Sequence, residues 1–198
     1  WSSRIQVSRL DPQASTDGTP TEVTVPEGHV FDGPPRMVAR AADVVLLAGT
    51  QRTASNEPGP VQAIRLDAAL QVAGSVALGV EMVPQAATAL ADGRVAIAGG
   101  TWEQAGWSGR IVVADPAQAS VTTAHSWQAA TPGSDSVVWA LATANGGGVL
   151  LLRTEQNWWS GEEETASRVI VTALAADPWG VRKEWSIPIA DRVVSGAL

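Results

Sequence analysis

Apolar residues in this sequence fall in short bursts, four to seven residues long, separated by polar clusters of Gly, Pro, Ser, Asp and Asn. No stretch repeats apolar residues at the three-to-four spacing of an amphipathic helix. Some bursts are continuous, as in Val44-Val45-Leu46-Leu47-Ala48-Gly49. Others alternate, as in Val61-Gln62-Ala63-Ile64-Arg65-Leu66-Asp67. Continuous runs of strand length predict strands buried on both faces, and alternating runs predict strands with one face buried. The pattern is that of an all-β chain.

The bursts recur in a fixed order. The continuous strand returns as Val95-Ala96-Ile97-Ala98-Gly99-Gly100 and as Val149-Leu150-Leu151-Leu152-Arg153, each preceded by a turn: Ala42-Asp43, Asp92-Gly93 and Asn145-Gly146-Gly147-Gly148. Gly accepts the positive φ that such hairpin turns need. The alternating strand returns as Arg110–Asp115 and as Arg168–Leu174, with an early copy at Arg4–Asp11. Two shorter strands flank this pair. The inner one is read at Arg36–Arg40, Gln85–Leu90, Val137–Leu141 and Arg192–Leu198. The outer one is read at Thr21–Val25, Gly74–Leu78, Thr123–Trp127 and Lys183–Ile187. The repeat is about fifty residues, the length of a four-stranded propeller blade. Strands A to D of such a blade are predicted over 36–78, 79–129 and 130–189. Residues 1–35 supply strands C and D of an earlier blade, and 190–198 supply strand A of a later one. The expected fold is therefore an all-β propeller segment of antiparallel blades, one domain overall, with partial blades at both ends. A lone arc of blades leaves apolar faces and strand edges open. The chain is accordingly expected to complete its ring with another polypeptide or with further copies of itself.

The segment Ala91-Asp92-Gly93-Arg94-Val95-Ala96-Ile97-Ala98-Gly99-Gly100 resembles kelch repeats, especially those of bacterial galactose-oxidase-like propellers. In that family strand B ends in a double glycine followed by a loop with aromatic residues. Here Trp102 and Trp107 follow Gly99-Gly100, and Trp127 stands where kelch repeats often carry Trp. The other copies depart from the pattern, with Gly49-Thr50 and Arg153-Thr154 in place of the double glycine. The resemblance implies the repeat architecture and an extracytoplasmic bacterial setting. It does not transfer the copper site of galactose oxidase, which uses Tyr, Cys and His: this chain has no Tyr, no Cys and two His.

Composition narrows the chemistry further. A formal charge of −7 argues against a nucleic-acid-binding footprint. No apolar run approaches the length of a membrane span. The opening residues, Trp1-Ser2-Ser3-Arg4, do not read as a signal peptide. Without cysteine there are no disulfides, thiolate metal sites or cysteine nucleophiles. No serine-hydrolase arrangement, phosphate-binding glycine loop or metalloprotease motif occurs. No cofactor and no catalytic residue is assigned.

The aromatic residues are the distinctive feature: nine Trp beside one Phe. Trp102 and Trp107 are read into one B–C loop, Trp158 and Trp159 into the next, and Trp1 into the place before the first strand C. In a propeller these loops emerge on one face. A Trp-lined rim there suits stacking on sugars or cations, or a protein interface. The alternative is packing over the blade edges. Glu162-Glu163-Glu164 lies in the same loop as Trp158 and Trp159. It is a weak candidate for a cation, because three consecutive carboxylates cannot all converge on one ion, and a solvated tip is the simpler reading. His29 and His125 are read as ordinary histidines. Asp11, Asp67, Asp115 and Asp177 recur in register and are assigned to turns. The functional expectation is a non-catalytic binding or scaffolding module whose partner is a protein. The alternatives are a fragment of a propeller enzyme with its catalytic residues elsewhere, and a glycan-binding propeller.

Overall fold

The computed structural model describes residues 2–8, 20–103, 106–129, 134–157 and 167–189. These residues form fourteen strands and no helix. In order they are β1 (Arg4–Val7), β2 (Thr21–Thr24), β3 (His29–Ala39), β4 (Val44–Arg52), β5 (Pro58–Leu66), β6 (Val72–Glu81), β7 (Val83–Ala89), β8 (Val95–Glu103), β9 (Gly106–Ala114), β10 (Val121–Gln128), β11 (Ser134–Thr143), β12 (Val149–Asn157), β13 (Ser167–Ala176) and β14 (Trp179–Ile189). β1 and β2 pair alone. The others make three four-stranded antiparallel sheets: β3-β4-β5-β6, β7-β8-β9-β10 and β11-β12-β13-β14. Every strand pairs with its neighbour in sequence, the meander expected of propeller blades.

The described chain divides into two compact units. The first comprises Trp1–Pro84, Gly93–Val95 and Ala114–Val121; the second comprises Gln85–Asp92, Ala96–Val113 and Thr122–Leu198.

In the first unit, alternation along β1 and β2 puts Ile5, Val7 and Val23 on one side. With Val25 they pack against Phe31, Val44, Leu46, Ala48, Ile64 and Leu66. The other side carries Arg4, Gln6, Glu22 and Thr24, with Arg4 3.4 Å from Glu22. Strand β3 is longer than the sequence pattern placed it. It begins at His29, ahead of the expected start at Arg36, and runs through Gly33-Pro34-Pro35. The pairing with β4 absorbs the prolines as an irregularity between Asp32 and Arg36. Gly33 adopts a φ of +75° there. The β3–β4 turn is clamped by Arg40, whose Nε and Nη2 donate to the two carboxylate oxygens of Asp43 at 2.7 and 2.6 Å. That pairing holds the Asp43 carboxyl below its ordinary pKa. The recurring aspartates behave as turn residues where they are described. Asp67 Oδ1 accepts from the backbone N–H of Ala69 and Gln71, and Asp115 Oδ1 accepts from that of Ala117.

In the second unit a single core joins two sheets. Ala86, Leu90, Ala96, Ala98, Ile111, Val113, Ala124 and Trp127 meet Val138, Leu141, Val149, Leu151 and Leu174, with Trp179 packed at the margin. The registers of β11–β14 sort that sheet into two faces. Val138, Leu141, Val149, Leu151, Arg153, Glu155, Ile170, Thr172 and Leu174 share the buried one. The opposite face carries Val137, Ala140, Ala142, Leu150, Leu152, Val169, Val171, Ala173, Trp185 and Ile187, with Asp135, Thr154 and Lys183 among its polar members. Trp139 joins this face at a bulge, its indole N–H donating to Thr154 Oγ1 at 2.9 Å.

Candidate functional site

The two loop tryptophans that are described stand on strands. Trp102 lies near the end of β8 and Trp107 at the start of β9, with only residues 104–105 between those strands. They are not equivalent. Trp102 is 53% exposed. Trp107 lies back over its own hairpin, its ring 2.8 Å from where a Cβ on Gly100 would stand. Its buried indole N–H has no acceptor among the described residues. Trp1, Trp158, Trp159 and Glu162-Glu163-Glu164 lie outside the described residues. Of the histidines, His29 rests its ring near Gly59 and takes part in a 3.2 Å contact between Nδ1 and the Glu27 carbonyl. Among the described residues no group of three or more His, Asp or Glu is placed to hold a metal ion.

The densest polar constellation is one the sequence pattern did not single out. Trp127, on β10, lies flat over Gly109, where any side chain would occupy the space of its ring. That gap lets the indole Nε1–H reach across to β11 and donate to Ser136 Oγ at 3.0 Å. His125, two residues earlier, stacks on the same indole, with centroids 5.8 Å apart and planes 23° apart. Arg153 of β12 sets its guanidinium carbon 5.3 Å from the Trp127 ring centroid. This arginine is buried, and it pairs with Glu155 through Nη1 and with Glu184 at 3.7 Å through Nη2. Glu155 also accepts from Nε and Nη2 of Arg168 at 2.8 and 2.5 Å, and Glu184 accepts from the hydroxyl of the buried Thr172 at 2.8 Å. The Arg153 Nε–H has no acceptor among the described residues.

The charges of this cluster balance: two arginines against two glutamates. Burying them is costly, and internal pairing recovers that cost only when the remaining lone pairs and protons are also met. Glu155 is met from both arginines, whereas the Nε–H of Arg153 is not. With its members drawn from β10, β11, β12, β13 and β14, the cluster is a polar fastener within the second unit. A signal for it exists in the sequence. The alternation Val149-Leu151-Arg153-Glu155 puts two charged residues on the same face as two core residues. Nothing in that alternation shows which face is covered.

The second feature is the open face of β11–β14. In β8 every residue from Val95 to Thr101 is buried. Strand β12 has the same continuous apolar character, yet Leu150 is 39% exposed where Leu151 is fully buried. Trp139, Trp185 and Ile187 on the same face are exposed at 40, 41 and 57%. Lys183 sits on this surface with its ammonium 4.9 Å from the Trp185 ring centroid.

No protein-family model matches this sequence, and no curated protein matches it. Among solved structures, the crystal structure of a protein of unknown function from Bacteroides caccae is similar at 12% identity with a TM-score of 0.37. The match covers 83% of this chain and 63% of that one. The chain therefore spans less than two thirds of that protein.

Proposed function

We propose that this protein is a non-catalytic binding or scaffolding module of the propeller type. In this reading it takes up a further blade from a partner polypeptide on the open face of β11–β14. The observation that carries the reading is that face: a largely apolar sheet surface, with Lys183 within it and Asp135 at its end, in a sheet whose other face holds part of the core of the second unit. Sheets bury such faces against another sheet about 10 Å away. Four strands and about six residues of rise give an area on the order of 400 Å². That is as large as the apolar patches that mark interaction sites on monomers. It is about half of what each side of a stable protein complex buries, so the partner would have to make further contacts. Among the described residues β14 is an edge strand, and its outward backbone groups would serve for them. The exposed Trp102 at the tip of the β8–β9 hairpin is a second point of attachment.

Light scattering and apolar-dye fluorescence on the isolated chain test this. The expected result is dye binding together with association beyond the 20.5 kDa chain. Both should be lost in a Leu150→Asp, Ile187→Asp variant that keeps its strand circular dichroism. A discrete dimer abolished by the same changes would replace the partner blade with a second copy of this chain. A dye-silent 20.5 kDa monomer would remove the reading altogether.

A further inference from the structure

The fastener in the second unit contains one group that can change its charge near neutral pH, and it stands against the cation. We propose that the His125–Trp127–Arg153 stack is a proton-operated latch between β10 and the sheet β11–β14. With a neutral imidazole, Trp127 carries a single cation, Arg153, and keeps its N–H on Ser136. A proton on His125 sets a second cation against the same indole, and the stack opens.

The charged groups around His125 come from three strands. Arg153 on β12 repels a protonated imidazole, and Glu184 on β14 attracts it. Behind them stand Glu155 on β12 and Arg168 on β13, already joined to each other. Glu184 is a weak counterweight. It is shared by Arg153 and Thr172, and its side chain is 43% exposed, where water and salt screen it. Burial and Arg153 therefore prevail, and the His125 pKa lies below its ordinary value of 6.5. The folded protein thus binds this proton less readily than the unfolded chain does. The contribution of the neutral stack is complete above the ordinary histidine pKa. It is lost as pH falls from there towards the lowered folded-state value.

The chain has two histidines, so the titration can be followed directly. In a His29→Gln background, proton NMR reports the imidazole of His125 alone. The indole N–H of Trp127, assigned by its disappearance in Trp127→Phe, reports the bond to Ser136. The expected result is a His125 midpoint below 6.5. Across that midpoint the Trp127 N–H should lose at least about tenfold of its exchange protection. His125→Gln should retain that protection down to about pH 5. Two outcomes would overturn the latch. One is an indole signal unmoved while His125 titrates; the other is the same loss of protection in His125→Gln.

Discussion

Replacing Arg153 by alanine probes the fastener at its centre. The side chains of Arg153 and Glu155 are 5% and 7% exposed. Breaking a buried pair from one side typically costs about 3–5 kcal/mol, because the remaining charge is stranded. Here Glu155 keeps two bonds from Arg168 and Glu184 reaches solvent, which places the cost near the lower end. The cation over Trp127 is also lost, at up to about 2 kcal/mol for a desolvated contact. The expected total is about 3–5 kcal/mol. In a chain of this size that corresponds to a fall in melting temperature of roughly 6–20 °C. Arg52→Ala is the control. Its partners Glu57 and Glu81 are 65% and 51% exposed, and the change should cost less than about 1 kcal/mol. Arg153→Met should fall between the two, since it keeps the packed stem and removes the Nε–H that has no acceptor. Urea unfolding followed by circular dichroism at about pH 8, above the range in which histidine titrates, measures all three. An Arg153→Ala variant within about 1 kcal/mol of the parent would refute the account, as would an Arg52→Ala variant equally destabilised.

Two further substitutions test the geometry around the cluster. Leu151→Ala should cost about 2–5 kcal/mol, because its side chain is fully buried, and Leu150→Ala, one residue away but 39% exposed, at most about 1 kcal/mol. The same urea titrations give both, and equal costs would mean the two faces of β12 are wrongly assigned. Gly109→Ala should lose about 1–3 kcal/mol and displace Trp127 from Ser136, visible as a changed near-ultraviolet circular dichroism. An unaltered spectrum and stability would show that the indole does not depend on the missing side chain.

The repeat was legible because each level of the sequence agreed with the next. Apolar bursts of strand length, Asp-Gly and Asn-Gly turns, and aspartates in register all require the same antiparallel order. The three four-stranded sheets follow that order. Strand β3 differed at its start because Pro34 and Pro35 are strand breakers in general but tolerable where the ladder is already irregular. Trp102 and Trp107 were read as loop residues because two glycines precede them. In the structure the hairpin runs on past those glycines and brings both onto strands. Arg153 was read only as a departure from a glycine pattern. Its role depends on Trp127 and Glu184, residues from two other strands, one earlier and one later. No local pattern connects the three.

Gly109 and Arg153 do not belong to the same sheet, yet substitutions at the two positions are coupled through the Trp127 indole. The absent side chain at 109 lets the indole lie low enough to hold Ser136 and to receive the guanidinium. A lineage that first gained a side chain at 109 would lift the indole away and leave Arg153 as a buried burden, favouring its replacement. One that first lost Arg153 would make position 109 more permissive. The order of the two changes therefore decides which is tolerated, and their combined effect should fall short of the sum of the separate ones.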